Sequence, residues 1–126
     1  MTSEITAAKQ EFAAALTSAG IRVLDYVPDR ITPPIVIVNA ASPYIATAEF
    51  GEYYLNLELV LVGATGTNKD ETYKLDQLIE DVLIAIEALG YVKLRKEQAV
   101  SQPYELQTNN AGYLSANIYV QLAITL

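Results

Sequence analysis

The stretch from Tyr113 to Leu126 constrains the fold more than any other part of the chain. Leu114, Ala116, Ile118, Val120, Leu122, Ile124 and Leu126 fall at every second position, with Tyr113, Ser115, Asn117, Tyr119, Gln121 and Thr125 between them. Neighbouring side chains of a strand point to opposite faces, so this pattern specifies one long strand with an apolar and a polar side. A strand of that kind belongs to a sheet covered on one face only. A second alternating run starts at Phe50, with Leu55, Leu57, Leu59 and Leu61 on one side and Tyr54, Asn56, Glu58 and Val60 on the other. It predicts a second long strand with one wet face.

The cover for the apolar faces is also in the sequence. Ile5, Ala8, Phe12, Ala15, Leu16 and Ala19 recur at helical spacing, which predicts an amphipathic helix over Ser3–Ala19, capped by Ser3 and stopped at Gly20. Leu75, Leu78, Ile79, Val82, Leu83, Ile86 and Leu89 make a broader stripe. The Asn68 and Glu71 pair has the form of a helix-capping box, and Gly90 is expected to end this second helix as Gly20 ends the first.

Between these elements the reading is shorter. Ile21–Tyr26 is expected to form a short strand, and Val27–Pro34, with Pro28, Pro33 and Pro34, a rigid connector. Ile35–Val38 reads as a strand buried on both faces, and Asn39–Glu49 as a loop. Tyr91–Glu97 alternates weakly, as an edge strand does, and Tyr104–Thr108 is expected to pair with the last strand through a turn at Asn109–Gly112. The order α, β, β, β, α, β, β, β predicts an α+β fold: a mixed, mainly antiparallel sheet with two helices packed on it. At 126 residues the expectation is a single domain over 1–126.

Composition excludes several kinds of chemistry. Cysteine and histidine are both absent, which removes disulfides, thiol redox chemistry, zinc fingers and Cys-His or His-dependent hydrolysis. Fifteen acidic against eight basic residues give a net charge of -7, a poor match for gripping phosphates. An acidic surface can still let DNA pass without sticking, because like charges repel. The sequence carries no run of about 18 apolar residues suited to crossing a bilayer. It also lacks a basic region followed by an apolar stretch at its start, so a soluble protein made in the cytoplasm is expected.

Candidate sites reduce mostly to ordinary structure. Asp25 with Asp29, or Glu49 with Glu52, are the nearest carboxylate pairs, but spacing alone does not make an acid/base site. Asp70, Glu71, Asp76, Glu80 and Asp81 spread around a helix with no Gly-centred calcium loop between them. Gly63–Thr67 precedes a helix but lacks the Gly-Lys-Ser/Thr of a P-loop, so it reads as a strand-to-helix turn. Nine tyrosines without a tryptophan are the remaining oddity. Tyr44, Tyr53, Tyr54, Tyr104, Tyr113 and Tyr119 fall on expected loops or polar strand faces, where an amphipathic ring suits an interface between proteins. A base-stacking platform is the rival, and it would be expected to come with basic residues.

Taken in order, several segments have a familiar layout: a helix ending in Ala-Gly, then Val23-Leu24-Asp25-Tyr26-Val27-Pro28-Asp29-Arg30-Ile31-Thr32-Pro33-Pro34, a β-branched strand, and Ser42-Pro43-Tyr44-Ile45. The strand from Tyr53 to Val62, the Gly-Thr-Asn of Gly66–Asn68, the Leu-Asp-x-Leu-Ile of Leu75–Ile79 and the Tyr-Leu-x-Ala of Tyr113–Ala116 follow. Across nearly its whole length the chain resembles the tail terminator (tail completion) proteins of long-tailed bacteriophages.

The resemblance implies a structural protein of the virion, assembled in the host cytoplasm, without enzymatic activity or cofactor. It implies a ring, typically of six subunits, on the head-proximal end of the tail tube at the head-tail joint. There it would end tube polymerisation and present a surface to the head connector or head-closure protein, while DNA passes the lumen without specific binding. The contacts with neighbouring subunits or the tube are expected at strand edges and in the Asn39–Glu49 loop, with Tyr44 and Phe50 as apolar anchors and Tyr53 beside them. Asp29 and Arg30 are expected either to form a cross-subunit ion pair or to be a surface pair worth under about 1 kcal/mol. Two alternatives stand beside this reading: another neck or tail-tube protein, such as a head-closure protein, and a small non-enzymatic ligand-binding domain.

Overall fold

The computed structural model describes residues 3–26, 28, 30–65, 69–96, 99–107 and 112–126. The elements in chain order are α1 (Glu4–Ser18), β1 (Val23–Leu24), β2 (Ile35–Thr47), β3 (Glu52–Thr65), α2 (Lys69–Ala88), β4 (Val92–Leu94), β5 (Tyr104–Gln107) and β6 (Gly112–Thr125). The fold is α+β, with a sheet ordered β1-β2-β3-β6-β4 and β5 also paired to β6. The two-residue β1 runs parallel to β2, and every other pairing is antiparallel.

The alternation in β3 and β6 becomes the centre of the sheet, where Leu55, Leu57, Leu59 and Leu61 lie opposite Leu122, Val120, Ile118 and Ala116. All eight are buried under the helices, together with Phe12 and Leu16 of α1 and Leu75, Leu78, Val82 and Ile86 of α2. At about 25 cal/mol per Å² of apolar surface, this face is the main source of stability. Ser3 caps α1 by accepting the Thr6 N–H at 3.0 Å. At the other end Gly20 takes φ +89°, while its own N–H donates to Thr17 O and the Ile21 N–H to Leu16 O. That pair of bonds is a Schellman stop.

Four expectations need correction. The span 39–49 is not a loop, because β2 continues to Thr47 and pairs again with β3 at Ile45, Ala46 and Thr47. Residues 41–44 bulge out between the two paired stretches, so small and polar residues that carry no strand pattern are held in the sheet by their neighbour. Gly63–Thr65 is not a turn but the end of β3, where Ala64 and Thr65 pair with Leu114 and Tyr113. Gly63 is there for clearance, since a Cβ on it would lie 2.6 Å from the Leu75 Cα of α2. Gly90 does not take a positive φ, and α2 closes at Ala88 without a left-handed stop. The expected capping box at Asn68 lies outside the described residues.

The face without helices is not wet throughout, which is the fourth correction. Val60 and Val62 of β3 pack with Ile35 and Ile37 of β2, Ile31 of the connector and Tyr113 into a second, smaller cluster. Ile31 and Thr32 of the proline-rich connector lie at this end of the sheet, where Arg22 donates to Thr32 O at 2.9 Å. The outer border of β6 is made of short segments in succession. Besides β4 and β5 there is a bridge from Val100 to Ile118, with hydrogen bonds from Arg95 N to Tyr119 O and from Ser101 N to Asn117 O.

Candidate functional site

Phe50 is not a strand residue. It sits at the tip of the β2–β3 hairpin, where Gly51 takes φ +77° and the turn is closed by Glu52 N to Glu49 O at 2.8 Å and Ala48 N to Glu52 O at 3.2 Å. Its relative exposure is 105 %, so the ring touches almost nothing of its own chain. Leu126, at 63 % exposure, lies beside it and donates its N–H to Gly51 O. Tyr53, half-buried, packs its inner side on the main core, and with Phe50 and Leu126 it borders an open depression at this end of the sheet. Glu49 and Glu52 flank the tip, both exposed. The expected carboxylate pair is thus a solvated collar around an apolar knob.

The other expected contact residues fall elsewhere. Tyr44 leaves the bulge to pack partly on the core, with the Lys9 ammonium 5.6 Å from its ring centroid, within cation–π range. Arg30 is exposed on the connector at the far end of β3 from the hairpin tip, and Asp29 lies outside the described residues. Phe50 and Tyr53 are therefore together, Tyr44 adjoins the same end of the core, and Arg30 is remote. Tyr113 is not an interface tyrosine: it is buried, and its hydroxyl donates to Ile31 O at 3.3 Å.

The open part of the helix-free face is polar and internally bonded. The Tyr104 hydroxyl donates to Asn117 Oδ1 at 2.6 Å, and Asn117 Nδ2 donates to the Tyr119 hydroxyl at 3.4 Å. Burial raises the Tyr104 pKa above the ordinary 10, the nearby Glu58 charge adds to that, the Asn117 bond opposes it and Tyr119 adds a further increase. Asn56, only 2 % exposed, ties the β2 bulge to β3 by donating from Nδ2 to Pro43 O at 2.8 Å. Its Oδ1 is buried without a partner among the described residues. Arg95 reaches across from beyond β4 to Ser42 O at 3.4 Å.

Asp76, Glu80 and Asp81 are exposed on α2, and among the described residues no group of acidic side chains is placed to hold a metal ion. No described helix is long and apolar enough to cross a membrane. Sequence reasoning missed Leu126, which it placed on the buried side of β6, and the reach of Arg95. Neither leaves a mark in periodicity. Comparison with models of known protein families and with curated proteins returns no match.

Proposed function

We propose that this chain is a ring-forming structural subunit that caps the head-proximal end of a bacteriophage tail tube, ends its polymerisation and forms part of the head-tail joint. The reading starts from the resemblance along the sequence. The observation that carries it is the hairpin tip: an exposed phenylalanine with an exposed leucine beside it, held by a closed turn and collared by two carboxylates. Such a projection stabilises nothing in its own chain and suits burial against another protein. Its partners are further copies of the chain in a hexameric ring, the tail tube protein on one side and the connector or head-closure protein on the other. The surplus of acidic residues suits a lumen through which DNA slides. No catalytic step and no cofactor belong to this role.

Native mass measured across concentration, followed by negative-stain imaging and binding to purified tail tubes, tests the proposal. A closed ring, a hexamer above all, that binds only one end of the tube is the expected result. A monomer at every concentration that also fails to bind tubes would refute it. Unlimited growth into tubes would favour a tube-like protein instead.

A further inference from the structure

The hairpin tip has a complementary surface on the same molecule. Between the C-terminal part of α2 and β4 runs an apolar groove lined by Leu83, Ile86, Glu87, Val92, Lys93 and Leu94. Ile86 and Val92 form its buried floor, and Leu94, at 37 % exposure, is an open apolar wall. The strand β4 that carries it is an edge, paired on one side only.

The knob lies at the β2–β3 end of the sheet and the groove at its β4 border, offset from each other along the strands. Val92 is level with Leu122, which is level with Leu55 and, through it, with Ile45 of β2. Phe50 projects from the hairpin just below Glu52, which pairs with Thr125. That is three residues along β6 from the Val92 level, or roughly 10 Å at ~3.3 Å per residue. Across the sheet, β2 and β4 are three strand spacings apart, roughly 14 Å. The charges match as well: the knob is collared by Glu49 and Glu52, and the outer rim of the groove carries the exposed Lys93. Glu87, on the helix side, leaves the strand side of the groove as the matching one.

We infer that Phe50 of one copy inserts into the groove between α2 and β4 of the next, with Lys93 facing the Glu49–Glu52 collar. The inference rests on the ring reading and names the contact that builds the ring. Two different patches meet, so the contact is head-to-tail. Repeating it gives a ring where the rotation between successive copies closes and an open filament where it does not, and the ring reading requires the former.

The test uses two variants of the full chain, Phe50→Asp, which removes the knob, and Leu94→Asp, which spoils the groove. Loss of a central anchor is expected to raise the concentration needed for assembly by about 30-fold or more. Each variant alone should therefore run as a monomer where the unmodified chain forms rings. Mixed in equal amounts, the two should form a one-to-one dimer and nothing larger, since one intact knob and one intact groove remain. Lys93→Glu, whose exposed site leaves folding untouched, should weaken assembly and be rescued by Glu49→Lys with Glu52→Lys. Rings from Phe50→Asp or Leu94→Asp at unmodified concentrations would overturn the inference and leave the ring reading standing. So would a mixture that stays monomeric, or a Phe50→Asp ring that has lost only its hold on the tail tube. An unmodified chain that stays monomeric at every concentration and also fails to bind tubes would overturn both.

Discussion

Replacing Gly63 with alanine tests how closely α2 is seated on the sheet. The new Cβ would stand 2.6 Å from Leu75 Cα, 2.8 Å from Leu75 Cβ and 3.0 Å from Leu75 Cδ1, where carbon atoms ordinarily rest about 3.5–4.0 Å apart. The nearest obstacle is backbone, so a rotamer change cannot relieve it, and the helix must retreat by roughly 1 Å. A gap of that size forfeits about a quarter to a half of each dispersion contact along the seam, which includes Leu75, Leu78 and Val82. Overpacking a core costs about 1–3 kcal/mol, and a backbone obstacle puts this site in the upper part of that range, at about 2–3 kcal/mol. For a chain of this length Tm should fall by roughly 6–12 °C. The assay is urea unfolding, where the midpoint should drop with an unchanged slope. Gly90→Ala is the control, because its Cβ would meet nothing within 4 Å and its φ is not positive. It should leave stability unchanged or raise it by up to about 1 kcal/mol. A Gly63→Ala loss below about 1 kcal/mol, or one no larger than the control's, would refute the close-packing argument.

Asn56→Ala should cost about 1–3 kcal/mol by leaving Pro43 O without its donor, and urea unfolding will read it; a loss below about 0.5 kcal/mol would mean the bulge holds itself. Tyr104 keeps its proton in the native state at pH values where the unfolded chain loses it, so its contribution is complete below pH 10 and disappears as pH rises through the native value. Tyr104→Phe should therefore flatten the fall of Tm above pH 10, leaving the share of Tyr91, whose pKa burial and Glu11 also raise. At neutral pH the same variant should lose about 1 kcal/mol with the Asn117 bond.

The parts of this fold legible in the sequence are those where one residue pattern answers to one surface. Six alternating apolar residues of β6 and the stripe of α2 had one flat core to meet, and each took the expected face. The second half of β2 was illegible because Asn39 to Pro43 carry no alternating apolar pattern and the bulge at 41–44 breaks the register before Ile45 pairs again, so the strand geometry there is set by the longer β3 beside it. Tyr113 reads as polar-face until the connector folds over it, a contact 82 residues away in the chain. For the candidate site, Phe50 stood out as an aromatic among acidic and small residues, but its setting in a tight turn and its neighbour Leu126 depend on how two distant strands end. The groove between α2 and β4 is made wholly by tertiary packing, and its lining residues read individually as core.

The borders of the sheet bear on what kind of growth this molecule permits. Beyond Val36 and Ile37, the outer side of β2 is interrupted by the bulge at 41–44, which holds Pro43, and on the opposite side the long β6 is fenced by three short pieces of chain. Among the described residues neither border offers a long regular ladder of amides and carbonyls for a further strand to copy, so strand addition, the route to open-ended fibrils, finds little template. Assembly of copies as proposed would then run through side chains on fixed projections and not through shared backbone ladders, so that single substitutions at those projections would be enough to abolish it.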